Sequence, residues 1–77
     1  MVERRSIMTL LDAELEKKYS IKEIKSDDEE LVKFLFSLGC YSGEDVSVIS
    51  RKKNNLLLSI KGARYNIDKE LGAAILI

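Results

Sequence analysis

No histidine, proline or tryptophan occurs in this 77-residue chain, and it has one cysteine. Without histidine there is no imidazole to act as a general base, and no Cys–His or Ser–His pair to activate a nucleophile. A glycine-rich phosphate loop is also missing: Lys61-Gly62 is an isolated pair and not the end of a P-loop. The chain therefore reads as a non-enzyme, with no catalytic residue. A lone Cys40 rules out an internal disulfide framework and a paired-cysteine zinc motif, and a single free thiol fits a reducing cytosol. No apolar run approaches the roughly 20 residues that span a bilayer. The opening MVERRSIMTLL carries Arg4 and Arg5, but Asp12 and Glu14 interrupt any signal-like apolar region. A soluble, cytoplasmic protein is expected. Lysine plus arginine and aspartate plus glutamate each number 13, so the formal charge is zero, which argues against a nucleic-acid module with its basic face. Seventy-seven residues make one domain, because two cores cut from them would each be too small to stand.

The most organised stretch is Ser26 to Val48, SDDEELVKFLFSLGCYSGEDVSV. Ser26 and Glu29 have the S-x-x-E spacing of a capping box, and Asp27 through Glu30 put negative charge at the positive end of a helix dipole. Leu31, Leu35 and Leu38, joined by Phe34, predict the buried stripe of that helix. Gly39 falls where a left-handed residue ends a helix, and Gly43 suits the third position of a type II turn. Val46 and Val48 then alternate as in a strand.

Residues 1–9 form a charged lead, within which Met8 is an alternative start, and residues 10–77 form the domain. Ile7, Leu10, Leu11 and Leu15 fall at helical spacing and predict a short helical turn. Tyr19, Ile21 and Glu23 share one face of a first strand that ends before the Ser26 cap. A second strand is expected over about Asp45 to Ser50, then a polar loop Arg51-Lys52-Lys53-Asn54-Asn55. Leu56, Leu58 and Ile60 alternate in a third strand. Gly62 and Ala63 connect to a fourth, Arg64 to Ile67. Asp68 can cap one helical turn that Gly72 stops, and Ala73 to Ile77 is a last apolar strand. Five short strands, one helix and one helical turn suit a small, partly open barrel, whose closure removes strand edges.

Three features invite a chemical reading. Asp27, Asp28, Glu29 and Glu30 are hard oxygen ligands, yet successive helical residues fan out by ~100°, so at most two converge on one ion. Capping and dipole account for them fully, and no metal site is assigned. Cys40 has no basic neighbour in sequence to favour its thiolate, and reads as a small apolar residue under the turn. The helix surface is more promising. One sheet face covers the leucine stripe but not Phe36 as well, leaving Phe36, Tyr41 in the turn and the polar-side Lys33 as candidate partner-binding residues. The alternative is that the N-terminal segment folds over them. Arg51-Lys52-Lys53 could meet an acidic surface, but is more simply a solvated turn.

Spelled as LxxLG-CYSG-xxV, through Leu35, Leu38, Gly39, Gly43 and Val46, the central stretch resembles the FeoA family, small cytosolic proteins tied to bacterial ferrous iron uptake. The resemblance runs from about Leu10 onward and takes in Gly62, Ile67, Glu70, Leu71, Ile75 and Ile77. The chain departs from the family pattern at Glu16-Lys17, where a glycine is expected, at Ser42 for a proline, at Asp68 for an arginine and at Gly72 for an alanine. The resemblance implies an SH3-like five-stranded, partly open barrel (mainly β, with one main helix between the first and second strands). It also implies an accessory role: binding the cytosolic region of a FeoB-type iron permease, which carries a GTPase domain. No cofactor is implied beyond weak contact with ferrous iron. The same module resembles the C-terminal domain of metal-dependent repressors. Two other readings follow, a divalent-metal sensor or carrier using acidic residues or Cys40, and a self-associating module or homo-oligomer.

Overall fold

A computed structural model describes residues 8–77; the lead's first seven residues, with Arg4, Arg5 and Ile7 among them, lie outside the described residues. The predicted helical turn is a 3-10 turn, Leu10–Asp12. The Thr9 hydroxyl accepts from the Leu11 N–H and the Asp12 carboxylate from the Thr9 N–H. That reciprocal cap seats Leu10 in the core.

The chain then runs β1 (Tyr19–Ser20), β2 (Glu23–Ile24), α1 (Glu29–Ser37), β3 (Asp45–Arg51), β4 (Asn55–Ile60), β5 (Ala63–Asp68), α2 (Lys69–Ala73) and β6 (Ile75–Leu76). An antiparallel sheet orders them β1-β3-β4-β5, and β2 pairs with β6 in a second, two-stranded sheet. The single first strand expected over Tyr19 to Ile24 is thus two pairings in two sheets, with Ile21 buried at the crossing, and the described residues form six strands where five were expected. The segment changes sheets because the Ile21 N–H bonds Glu44 on one side, and the Lys22 N–H bonds Leu76 on the other.

Alternation places Val46, Val48, Leu56, Leu58 and Ile60 inward as read from the sequence, and Leu35 of α1 closes over them. A register shift between Val48 and Ser50 makes Ile49 a bulge that bends β3. Arg51 belongs to β3, and its guanidinium donates to the Ala13 carbonyl, so the free loop shrinks to Lys52-Lys53-Asn54.

Three local expectations are corrected. The N-cap of α1 is Asp28, whose Oδ1 accepts from the Glu30 and Leu31 N–H groups at 3.0 and 3.3 Å. Ser26 accepts from the Asp28 N–H and so orients the cap instead of being it. Phe34, assigned to the buried stripe, is 46% exposed. The nine-residue helix buries a narrow seam in which Leu35 is covered fully and Leu31 and Leu38 partly. Finally, Gly72 does not stop the last helical turn. It lies inside α2, buried against Leu56, and the helix runs on to Ala73 with Ala74 as its C-cap. Asp68 does cap α2, accepting from the Leu71 N–H at 3.0 Å.

Candidate functional site

The exposed aromatic surface is built by the C-terminus of α1 and the turn that follows. The Gly39 N–H bonds the Phe36 carbonyl at 3.0 Å, and the Cys40 N–H bonds the Leu35 carbonyl at 3.1 Å. This bond pair, with Gly39 at φ 99° and Leu35 and Cys40 both buried, is a Schellman ending. It fixes where the chain leaves the helix. The next four residues, Tyr41 to Glu44, close a turn through the Glu44 N–H to the Tyr41 carbonyl, with Gly43 at φ 90° in its third position. That turn is tied to the β1–β2 crossing by two bonds of 2.8 Å, the Gly43 N–H to the Ile21 carbonyl and the Ser42 hydroxyl to the Lys22 carbonyl.

Two rigid supports thereby hold two rings side by side. Phe36 and Tyr41 stack with centroids 5.4 Å apart and planes 28° apart, yet they are 41% and 48% exposed. Met8 to Ala13, the described start of the chain, packs toward α2 and β6 and does not cover them. The Lys61 ammonium sits 5.8 Å from the Tyr41 ring centroid and 3.5 Å from the Glu44 carboxylate. Beside it opens a polar hollow of about 370 Å³, lined by Lys18, Glu44, Asp45, Ser47, Ser59 and Lys61.

Of the residues singled out in the sequence, Phe36 and Tyr41 are brought together. Lys33 is exposed on α1 and, among the described residues, makes no ion pair with Glu29; the pair found is Lys61–Glu44. Lys61 was missed as a site residue because no local signal marks it. It reaches Glu44 only through the register that sets Ile60 opposite Val46, followed by a tight turn with Lys61 and Gly62 both at positive φ.

Cys40 is fully buried, and burial pushes its thiol up to about 11. At neutral pH it is therefore protonated and packed, a poor ligand and a poor nucleophile. Asp28 is engaged in capping α1, and among the described residues no three acidic, cysteine or histidine side chains are grouped to share an ion.

A family comparison decides what this arrangement belongs to. The model of the FeoA domain matches residues 8–77, nearly the whole chain. The chain belongs to the FeoA family. FeoA domains are accessory domains of ferrous iron transport. No curated protein matches the sequence. Solved structures match the fold. An iron uptake regulatory protein, FeoA, superposes with a TM-score of 0.81 at 19% identity, over 92% of this chain and 95% of that one. Stenotrophomonas maltophilia FeoA complexed with zinc, described as a procaryotic SH3 domain protein, does so at 0.80 and 17%, over 91% and 89%. A manganese-dependent transcriptional repressor reaches 0.84 at 15% identity, over 99% of this chain but 43% of the repressor. This FeoA domain is thus an SH3-like barrel, mainly β with one inserted helix, and the same fold occurs as part of a longer metal-dependent repressor.

Proposed function

We propose that this FeoA domain is a non-enzymatic accessory of ferrous iron uptake that docks on the cytosolic, GTPase-bearing part of a FeoB-type permease. The contact is made by the Phe36–Tyr41 face, with Lys33 at its helical margin. The observation that carries this reading is the stacked pair itself: two rings left open to solvent on stretches of backbone that hydrogen bonds hold in place. Rigid, exposed aromatics bind with little further loss of side-chain entropy, and such residues dominate interface energetics. Docking changes the activity or assembly of the permease without any chemistry on this chain.

The test is calorimetric titration of the permease's cytosolic domain with wild type and variants. Phe36→Glu keeps a helix-tolerant side chain at an exposed position, so the fold survives. A hot-spot loss of at least about 2 kcal/mol weakens the Kd by roughly 30-fold or more. Lys33→Glu, a margin charge, mainly slows association and changes its salt dependence. Equal affinity of wild type and Phe36→Glu would exclude this face.

A further inference from the structure

The outer edge of β5 is unpaired among the described strands. Its orientation follows from the β4–β5 ladder, in which Ile60 faces Ala63 across a two-residue turn and Leu56 faces Ile67. A two-residue hairpin is closed by a hydrogen-bonded pair, so alternate residues Ala63, Tyr65 and Ile67 direct their N–H and C=O groups at β4. The bond from the Lys69 N–H to the Asn54 carbonyl continues the same alternation. The N–H and C=O groups of Arg64 and Asn66 then point away from the sheet, as does the N–H of Asp68, whose C=O opens α2 as its N-cap. Strand order puts β5 at its end, and among the described residues no strand pairs with that edge. The side chains of Arg64, Asn66 and Asp68 are all exposed.

We propose that this edge pairs with the β5 edge of a second copy, antiparallel about a two-fold axis through Asn66, to form one continuous sheet. The register comes from charge and from backbone alternation together. Centring on Asn66 sets Arg64 opposite Asp68 of the second copy and Asp68 opposite its Arg64, so each end carries a cross-strand pair of opposite charge. Asn66 meets its own copy on the axis. The Asn66 pair is of the hydrogen-bonded kind, and the Arg64–Asp68 pairs fall in the same phase, each with one bond from the Asp68 N–H to the Arg64 carbonyl, since the Asp68 carbonyl serves α2. Asp68 caps α2 through Oδ1, which leaves Oδ2 for the arginine. A one-residue slip would misalign both charge pairs and face outward amides with inward ones. The contact is isologous, the same patch on both copies, so it closes at a dimer.

The test is sedimentation equilibrium of the full chain from micromolar to millimolar concentration, with mixed-label NMR at the upper end. Wild type is expected to double its mass, and to show an intermolecular NOE between the α-protons of Tyr65 and of Ile67 in the other copy, the close non-hydrogen-bonded pair. Asn66→Asp sets like charges on the axis, and Arg64→Glu sets a carboxylate against Asp68. Each should weaken association at least tenfold with an unchanged circular dichroism spectrum. Asn66→Pro removes an outward amide only and should abolish association. A chain that stays monomeric to millimolar concentration overturns the proposal, as does a dimer that all three variants leave intact.

Discussion

At Gly72 a methyl group would come within 2.5 Å of Leu56 Cδ1, a side chain with no exposure and little room to turn away. Alanine in a helix gains about 1 kcal/mol over glycine, whereas overpacking a core costs about 1–3 kcal/mol. Gly72→Ala should therefore lose about 1 kcal/mol in urea denaturation. Shortening Leu56 to valine in the same chain should make the double variant lose less than the sum of the single losses. Cys40 gives a second prediction. Its folded thiol titrates at about 11 against 9.0 for the unfolded group, so the protonated native state is favoured below pH 9. Between about 9 and 11 the unfolded chain sheds a proton that the native one keeps, and stability falls as pH rises. The loss approaches about 2–3 kcal/mol and should be missing from the pH profile of Cys40→Ala. Glu16 shows how far residue-scale reading goes. The family pattern places a glycine near it, and its backbone has φ 63°, a left-handed conformation held by the bond from its N–H to the Val48 carbonyl. An acidic side chain gives no warning of that, but the missing glycine does.

The helix elements separate what local pattern can and cannot reveal. Gly39, Gly43 and the Asp68 cap were legible, because positive φ and side-chain capping are properties of a few adjacent residues. Ser26–Glu29 matched a capping box equally well, yet Asp28 took the role two residues on. Several adjacent acceptors compete at such a start, and here the Ser26 hydroxyl is taken by the Asp28 N–H. Asp28→Ala should cost about 1 kcal/mol in thermal or urea unfolding, and Glu29→Ala only a few tenths. Equal losses would restore the capping box. Phe34 and Phe36 were likewise separable only in part. Period alone sorts a helix into faces, but how wide a face is buried depends on the sheet beneath it, and here the seam is narrow.

At the scale of the whole molecule, the alternation of apolar residues in β3 and β4 was enough to assemble the core. The split of the first strand between two sheets was not, because the bonds that divide it go to Glu44 and Leu76, far away in sequence. The candidate site has the same two-part character. Phe36 and Tyr41 lie five residues apart and could be joined by reading the turn between them. Lys61 enters through long-range register and completes the surface with Glu44. Because Lys61 lies over the Tyr41 ring, it should respond to a partner together with the aromatic pair. An NMR titration of the labelled protein with the permease's cytosolic domain, at tens of micromolar, tests the docking face most directly. The account predicts shifts clustered on Phe36, Tyr41, Lys33 and Lys61; shifts that are absent, or scattered evenly over the barrel, would contradict it.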